Sequence, residues 1–239
     1  MNFVAAYGAF VARATLTEAK AEALAAVGHR VIVIQVDFQG SLLSQRTAEQ
    51  LRIEQDRALA AGLEVWWWAW CRPSNRPKHG RPSGPHALEA RLAELVRSAG
   101  MPHGFIANCE VGGGWSPATP DLAPIAGAAR AAGMPVVGLS SHGIVGERWP
   151  VGAFDIGLPQ IYRTAHVSRS FASLCLRTWR DCPMLWPTLG AADKASDAEA
   201  MRADLQACED IGARGALWWT ARSLSGAKIA ASVPRGVIQ

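Results

Sequence analysis

The stretch HALEARLAELVRSAGMPHGFIANCE, residues 86–110, contains one complete structural unit. Apolar residues recur every three or four positions over 86–99, which predicts an amphipathic helix. Gly100 stands where such a helix is expected to end, and a short link then leads into the apolar run Gly104–Glu110. A run that is apolar on both faces is typical of a parallel strand covered by helices. The stretch therefore predicts a helix followed by a buried strand.

The same order of helix, glycine, link and strand recurs on both sides of this stretch. Further helical patterns cover residues 16–27, 45–61, 121–132, 166–180 and 196–211, and weaker ones lie near 146–152 and 223–232. Five helices are followed by a glycine, namely Gly28, Gly62, Gly100, Gly133 and Gly212. The eight predicted strands are Phe3–Tyr7, Arg30–Asp37, Glu64–Trp70, Gly104–Glu110, Pro135–Leu139, Asp155–Ile161, Pro183–Leu189 and Gly215–Thr220.

Eight helix-and-strand units in 239 residues predict an α/β fold of the (β/α)8 TIM-barrel type, as a single domain over residues 1–239. An open doubly wound sheet is the alternative, but no Gly-x-Gly-x-x-Gly motif follows the first strand. In a closed barrel the functional side chains lie where the strands end. The ends of the predicted strands are therefore the candidate positions for catalytic and binding residues.

The composition is that of a folded chain with a large core, since 49% of the residues are hydrophobic and 18% are charged. No apolar run reaches the roughly 18 residues of a membrane span, and no signal peptide is visible, so we expect no membrane partner and synthesis in the cytoplasm. The six His and five Cys lack the spacing of metal sites, and we expect neither a metal nor another cofactor. Buried thiols are expected at Cys109, Cys175 and Cys208.

The fourth predicted strand ends with Asn108 and Glu110. Because side chains alternate along a strand, these two share one face, while Ala107 and Cys109 point toward the helices. A carboxyl group at a barrel mouth, beside an amide and several Trp side chains, has reduced solvation, which favours its protonated form and suits a general acid. The alternative is a structural ion pair between Glu110 and a neighbouring Arg.

The strand Gly-Phe-Ile-Ala-Asn-Cys-Glu, residues 104–110, resembles the fourth strand of barrel glycoside hydrolases, which ends in Asp-x-Glu or Asn-x-Glu. It is most similar to that of endo-β-N-acetylglucosaminidases, and chitinase-like enzymes and barrel-type lysozymes carry the Asp-x-Glu form. In those families the Glu donates a proton, and the Asn or second Asp orients the substrate's 2-acetamido group, whose oxygen attacks the anomeric carbon. The resemblance implies these roles for Glu110 and Asn108.

Glycosidases normally use two carboxylates, and a second one is not obvious here. The ends of the sixth, seventh and eighth predicted strands read Gln-Ile-Tyr, Pro-Thr-Leu and Trp-Thr, without an acid. The nucleophile is then the substrate's own amide, or Asp37 at the end of the second strand acts as base or stabiliser. Pairing of Asp37 with a rim Arg is an equal alternative. Glu147 and Asp193 lie in predicted loops and are weaker candidates.

Polar side chains at other strand ends are predicted to bind the sugar. Gln160 and Tyr162 share a face of the sixth strand. Tyr162 resembles the Tyr that steadies the cyclised intermediate in chitinase-like enzymes, with a rim aromatic as the alternative. His142 follows two serines at the end of the fifth strand and is expected to contact substrate, because adjacent Ser and His residues cannot easily form a nucleophile–base pair.

Tryptophan is unusually abundant, with ten Trp against two Tyr, and its broad apolar face suits both packing and stacking on sugar rings. Of the pair at the end of the eighth strand, Trp219 is favoured over Trp218 as the platform beneath the sugar because it lies nearer the rim. Three Trp share one face of the third strand, namely Trp66, Trp68 and Trp70. Most of these are expected in the core, with Trp70 as the second sugar platform.

The loop that begins at Arg72 and runs to His86 carries four fixed positive charges and two His, without an acid. The net charge of the chain is +4. Such a loop can attract an anionic polymer such as cell-wall glycan, with Arg72 as a substrate contact, or it is simply a solvated loop. No aromatic residue is interleaved with the charges, so a nucleic-acid partner is not expected.

Two hypotheses follow from these patterns. The first is a glycoside hydrolase that cleaves a glycan containing N-acetylhexosamine, such as peptidoglycan, as an endolysin-like enzyme of bacterial or bacteriophage origin that acts on the cell wall after release. The second is a catalytically silent barrel that binds carbohydrate within a larger assembly such as a virion. The missing second carboxylate is the main support for the second hypothesis.

Overall fold

The computed structural model describes residues 6–11, 15–37, 47–73, 84–110, 115, 120–143, 149–161, 169–190, 198–210, 212–224 and 227–234. The strands are β1 (Ala6–Val11), β2 (Val31–Asp37), β3 (Glu64–Cys71), β4 (Gly104–Cys109), β5 (Val137–His142), β6 (Ile156–Gln160), β7 (Met184–Leu185), β8 (Thr188–Gly190) and β9 (Gly215–Trp219). The helices are α1 (Glu18–Ala26), α2 (Ala48–Ala60), α3 (Pro85–Ala99), α4 (Ala123–Ala131), α5 (Arg169–Thr178), α6 (Ala198–Glu209) and α7 (Ala227–Ala231).

The strands form one closed parallel sheet. Neighbours pair in chain order from β1 to β6, and the ring closes where β9 pairs with β1 from Ala6 opposite Gly215 onward. The two short strands β7 and β8 together occupy the position between β6 and β9. The barrel therefore has eight strand positions with helices between them, which confirms the predicted (β/α)8 fold.

The strand at the seventh position is broken, whereas the sequence predicted one strand over Pro183–Leu189. Trp186 and Pro187 separate β7 from β8. Proline has no N–H to donate, so the hydrogen-bond ladder cannot run continuously through this point. The first strand also differs from its predicted range, because its pairing with β2 continues to Val11 opposite Ile34.

The five glycines that were predicted to stop helices do follow helix ends in the structure. All five of the stop glycines have a left-handed backbone with φ between 80° and 98°, namely Gly28, Gly62, Gly100, Gly133 and Gly212. At the start of α2, Thr47 and Gln50 form a reciprocal capping box. The two weak helical patterns correspond to a single 3-10 turn, Val151–Ala153, and to the short α7. None of the described helices is long and apolar enough to cross a membrane.

Side-chain alternation divides the core into two layers. Trp67 and Trp218 point outward into the layer between sheet and helices, where their N–H groups donate to Gln55 Oε1 at 2.8 Å and to Ser232 O at 2.7 Å. A second cluster fills the barrel interior and is rich in Trp: Trp66, Trp68 and Trp186, with Trp70 and Trp219 packed against it. The predicted orientations of the Trp residues on β3 and β9 are confirmed.

Glycine opposite tryptophan makes room for these rings inside the barrel. Gly104 on β4 lies in register with Trp66 on β3. A Cβ atom at residue 104 would lie 2.6 Å from the Trp66 indole, so only glycine fits without displacing the ring. Trp66 in turn packs against Trp186 with ring centroids 5.3 Å apart.

His29 precedes β2 and so lies at the end of the barrel opposite the carboxyl ends of the strands. Its Nε2 is 2.6 Å from Ser232 Oγ, and 4% of the residue is exposed. Burial, together with the nearby charge of Lys20, lowers the pKa of His29 to about 4. The ring is therefore neutral in the folded protein at neutral pH.

This burial makes the stability of the fold depend on pH. The folded pKa of His29, about 4, lies below the value of about 6.5 expected in the unfolded chain, so protons bind the unfolded state first as the pH falls. The contribution is fully present above pH 6.5, and about 2 kcal/mol of unfolding free energy is lost by pH 5. In urea unfolding, His29→Gln is expected to lack this loss, while His86→Gln on the exposed start of α3 retains it. Equal pH dependence in wild type and His29→Gln would show that the ring is solvated.

Candidate functional site

Four polar side chains form an arc around one half of the barrel mouth. They are the inward-facing residues near the ends of successive strands β4, β5, β6 and β8, namely Asn108, Ser140, Gln160 and Thr188. All four are buried, with 8% or less of each residue exposed. Asn108 lies in register with Ser140, and Gln160 lies in register with Thr188, so strand pairing holds the members of the arc side by side.

Aromatic side chains complete the circle. Phe10 on β1, Trp68 on β3 and Trp219 on β9 pack together, with ring centroids 5.4–5.9 Å apart. Trp70 lies one inward position closer to the mouth than Trp68 and is half-buried. The half of the mouth opposite the polar arc is therefore a wall of aromatic rings.

The polar arc and the aromatic wall enclose a cavity with an empty volume of about 480 Å³ out to its mouth. That volume includes space open to solvent at the mouth. Glu110, the residue after β4, is half-buried and lines the cavity together with both groups of side chains. The cavity thus offers one acid, amides and hydroxyls on one side and apolar ring faces on the other.

Two amides hold the Glu110 carboxyl group. Asn108 Nδ2 donates to Glu110 Oε1 at 3.0 Å, and Gln160 Nε2 donates to the same oxygen at 2.9 Å. Gln160 Nε2 also lies 3.0 Å from Asn108 Oδ1 and 3.2 Å from Ser140 Oγ. These contacts fix the orientation of the carboxyl group and direct it into the cavity.

No ion pair joins Glu110 to any other residue that the structure describes. The alternative of a structural pair with a rim Arg is therefore not realised in that part of the chain. Arg72 instead lies by Trp70, with its guanidinium carbon 6.0 Å from the ring centroid. The acid is held by neutral donors, which leaves it available for chemistry.

The structure brings five of the predicted site residues to one cavity: Glu110, Asn108, Gln160, Trp219 and Trp70. Arg72 lies next to this group through its contact with Trp70. His142 is the last residue of β5, is exposed to solvent, and is not among the residues that line the cavity.

The side chains of four further candidates are not described. Asp37 is the last residue of β2, but its side chain is not described. Tyr162, Glu147 and Asp193 lie outside the described ranges altogether. Among the described residues that line the cavity, Glu110 is the one carboxylic acid, and the ends of β6, β8 and β9 contribute an amide, a hydroxyl and an indole.

Sequence reasoning missed four residues that line the cavity: Phe10, Trp68, Ser140 and Thr188. Ser140 and Thr188 stand at predicted strand ends, but no pattern in the sequence assigned their hydroxyl groups to the site. Alternation was the available signal, because Ser140 shares the inner face of β5 with Gly138, and Thr188 follows two residues after the inward Trp186.

The cysteines do not add a nucleophile or a metal site to the described structure. All five are buried thiols that form no disulfide bond. Cys109 lies on the outer face of β4, and burial among apolar groups raises the pKa of its thiol well above the usual value, with neighbouring Cys71 adding to the effect. No group of three or more His, Cys, Asp or Glu residues within the described ranges is arranged to hold a metal ion.

Comparison with solved structures identifies the same architecture in carbohydrate-cleaving enzymes. A GH113 β-1,4-mannanase matches 97% of this chain and 93% of its own with a TM-score of 0.64, at 11% sequence identity. A GH5 xyloglucanase from Bacteroides ovatus matches 95% of this chain and 74% of its own, with a TM-score of 0.63 and 12% identity. The catalytic domain of a mannanase from Streptomyces sp. SirexAA-E matches 91% and 75%, with a TM-score of 0.57 and 16% identity.

No protein-family model and no curated protein matches the sequence. At identities of 11–16% the structural likeness concerns the fold and not the substrate. In fold, the chain is a (β/α)8 TIM barrel of the kind found in these enzymes.

Proposed function

We propose that this protein is a glycoside hydrolase in which Glu110 is the general acid. The observation that carries the proposal is a single carboxyl group, oriented by two amides and directed into a cavity walled by aromatic rings. Three solved barrels of the same fold are named as mannanases or a xyloglucanase, which supports a glycan as the substrate class.

The two halves of the cavity match the two kinds of surface on a sugar ring. A pyranose presents an apolar face of C–H groups and a rim of hydroxyl groups. Trp219 and Trp70 offer flat apolar surfaces for the face, and the polar arc offers hydrogen-bond partners for the rim. A sugar stacked in this way has its glycosidic bond within the same small cavity as Glu110.

The hydrogen bonds of Glu110 define which oxygen carries the proton. Both amide N–H groups donate to Oε1, and no described residue donates to Oε2. A carboxyl group in this arrangement accepts through Oε1 and carries its proton on Oε2. Transfer of that proton to the departing oxygen is the step for which general acid catalysis is required in glycoside cleavage.

The finer proposal is that the substrate contains N-acetylhexosamine, as peptidoglycan does. The described lining residues include no second carboxylate, which supports the oxygen of a 2-acetamido group as the nucleophile in this proposal. Asn108 acts here through Glu110, because its Nδ2 and Oδ1 are both engaged within the amide network. Arg72 beside Trp70 places a positive charge where an anionic wall polymer would approach.

A second candidate function rests on that same single acid. A cavity whose described lining holds one carboxylate and a wall of aromatic rings can bind a glycan without cleaving it, as part of a larger assembly. Asp37 would complete an acid pair only if its side chain reaches the cavity. Binding without turnover is the outcome that would favour this second function.

The deciding experiment is a substrate panel with wild type and Glu110→Gln. The panel contains peptidoglycan, N-acetylglucosamine oligomers, β-1,4-mannan and xyloglucan, and new reducing ends are measured. We expect wild type to cleave a polymer with acetamido groups, and Glu110→Gln to bind it without cleavage. Cleavage of mannan or xyloglucan alone would retain the hydrolase and reject the acetamido route. Binding by both proteins without any cleavage would establish the silent barrel.

A further inference from the structure

Thr188 differs from the other members of the polar arc because its side-chain hydroxyl has no hydrogen-bond partner among the described residues. Only 1% of the residue is exposed, and its Oγ1 is buried without a partner in the described structure. Asn108, Ser140 and Gln160 are joined to one another and to Glu110 by hydrogen bonds, but none of these bonds reaches Thr188. A buried hydroxyl that makes no hydrogen bond lowers the stability of the folded state.

The position of Thr188 indicates what such a hydroxyl would bind. Thr188 begins β8 and lines the same cavity as Glu110, three barrel positions further round the ring. The indole N–H of Trp68, on the aromatic wall of that cavity, is also buried and has no partner among the described residues. Thr188 and Trp68 thus both line the cavity, and each carries a buried donor that no described residue accepts.

We propose that Thr188 is a ligand-binding residue whose Oγ1 hydrogen-bonds a hydroxyl group of the sugar ring held in this cavity. The oxygen of the ring hydroxyl has two lone pairs, so it can accept from Thr188 and from Trp68 Nε1. This assignment rests on the proposed function, because it takes the occupant of the cavity to be a sugar. It adds a contact next to Gln160, at the end of the polar arc farthest from Asn108.

The test relies on two opposite effects of removing the Thr188 hydroxyl, a gain in stability and a loss of sugar binding. Thr188→Val keeps the shape of the side chain and removes the hydroxyl. Because no partner is lost in the free protein, Thr188→Val is expected to raise the melting temperature by about 2–4 °C. In a Glu110→Gln background, which prevents turnover, it is expected to weaken oligosaccharide binding by about 5- to 10-fold. Thr188→Ser keeps the hydroxyl and is expected to bind within about twofold of its parent.

Ser141 provides the matched control. Its Oγ is likewise buried without a partner in the described structure, but it is on the outer face of β5 and does not line the cavity. Ser141→Ala should leave binding unchanged. Binding is measured by calorimetry with two probes, the β-1,4-linked tetramers of N-acetylglucosamine and of mannose.

The outcomes separate this inference from the function on which it rests. Weaker binding with a higher melting temperature in Thr188→Val supports the assignment. Unchanged binding, or a lower melting temperature, shows that the hydroxyl is structural and overturns it while leaving the hydrolase proposal intact. If the Glu110→Gln parent binds neither probe, the sugar occupant is rejected for the whole cavity, and this assignment is rejected with it.

Discussion

Glu110→Gln is expected to lower kcat on the natural glycan by about 1000-fold, in the range that a general acid contributes. The substitution preserves the shape of the side chain and the Oε1 acceptor for Asn108 and Gln160, and it removes only the transferable proton. The affinity for substrate should therefore change little. Initial rates of bond cleavage and equilibrium binding, measured on the same preparation, give the two quantities.

Substrates whose leaving group departs without being protonated test specifically whether Glu110 acts as an acid. A nitrophenyl leaving group departs as a stable anion, so nitrophenyl glycosides should show a much smaller difference between wild type and Glu110→Gln. Glu94→Gln is the matched control, because Glu94 lies on the exposed surface of α3 in an ion pair with Arg91. Equal losses with good and poor leaving groups would show that Glu110 acts in binding or folding and not as the acid.

Gln160→Met is expected to lower kcat by about 100-fold, or about 2.7 kcal/mol of transition-state stabilisation, with KM nearly unchanged. Methionine matches the length of glutamine but cannot donate, so Glu110 Oε1 loses one of its two donors and Asn108 Oδ1 loses its donor. The carboxyl group would then be free to turn away from the productive orientation. Steady-state kinetics measured across pH would give both the loss of kcat and any shift in the pH dependence of kcat.

Ser140→Ala is the control for that variant. It removes only the 3.2 Å contact between Ser140 Oγ and Gln160 and leaves both bonds to Glu110 in place. Its effect on kcat should be small. If Gln160→Met instead raises KM and spares kcat, Gln160 binds the sugar directly, which is the role that its position at the strand end first suggested.

Much of the fold was predictable because its signals are local. The periodicity of residues 86–99, the glycine stops and the apolar runs each depend on a few neighbouring residues, and the structure confirms them. The break in the seventh strand was not predicted, because it depends on Pro187 meeting a hydrogen-bond ladder whose partners lie far away in the sequence. The outward orientation of Trp67 followed from alternation alone, whereas alternation left open which of Trp218 and Trp219 points inward.

The candidate site was predictable only in part. Alternation placed Asn108 and Glu110 on one face, and nearness to the rim selected Trp219 over Trp218. The engagement of Gln160 with Glu110 joins residues 50 positions apart, and no local pattern reports such a contact. The exposure of His142 and the unpaired hydroxyl of Thr188 likewise depend on what neighbouring strands bring to the same place.

The amino-acid sequence alone determined that this chain alternates strands and helices around a barrel, and that an acid follows its fourth strand. Periodicity and alternation determine these features because they act between residues that are close along the chain. Only the tertiary structure decided which side chains share the cavity, which oxygen of Glu110 is held, and which hydroxyl is left without a partner. Those features depend on the register between strands, and register is set when the sheet closes and buries its interior.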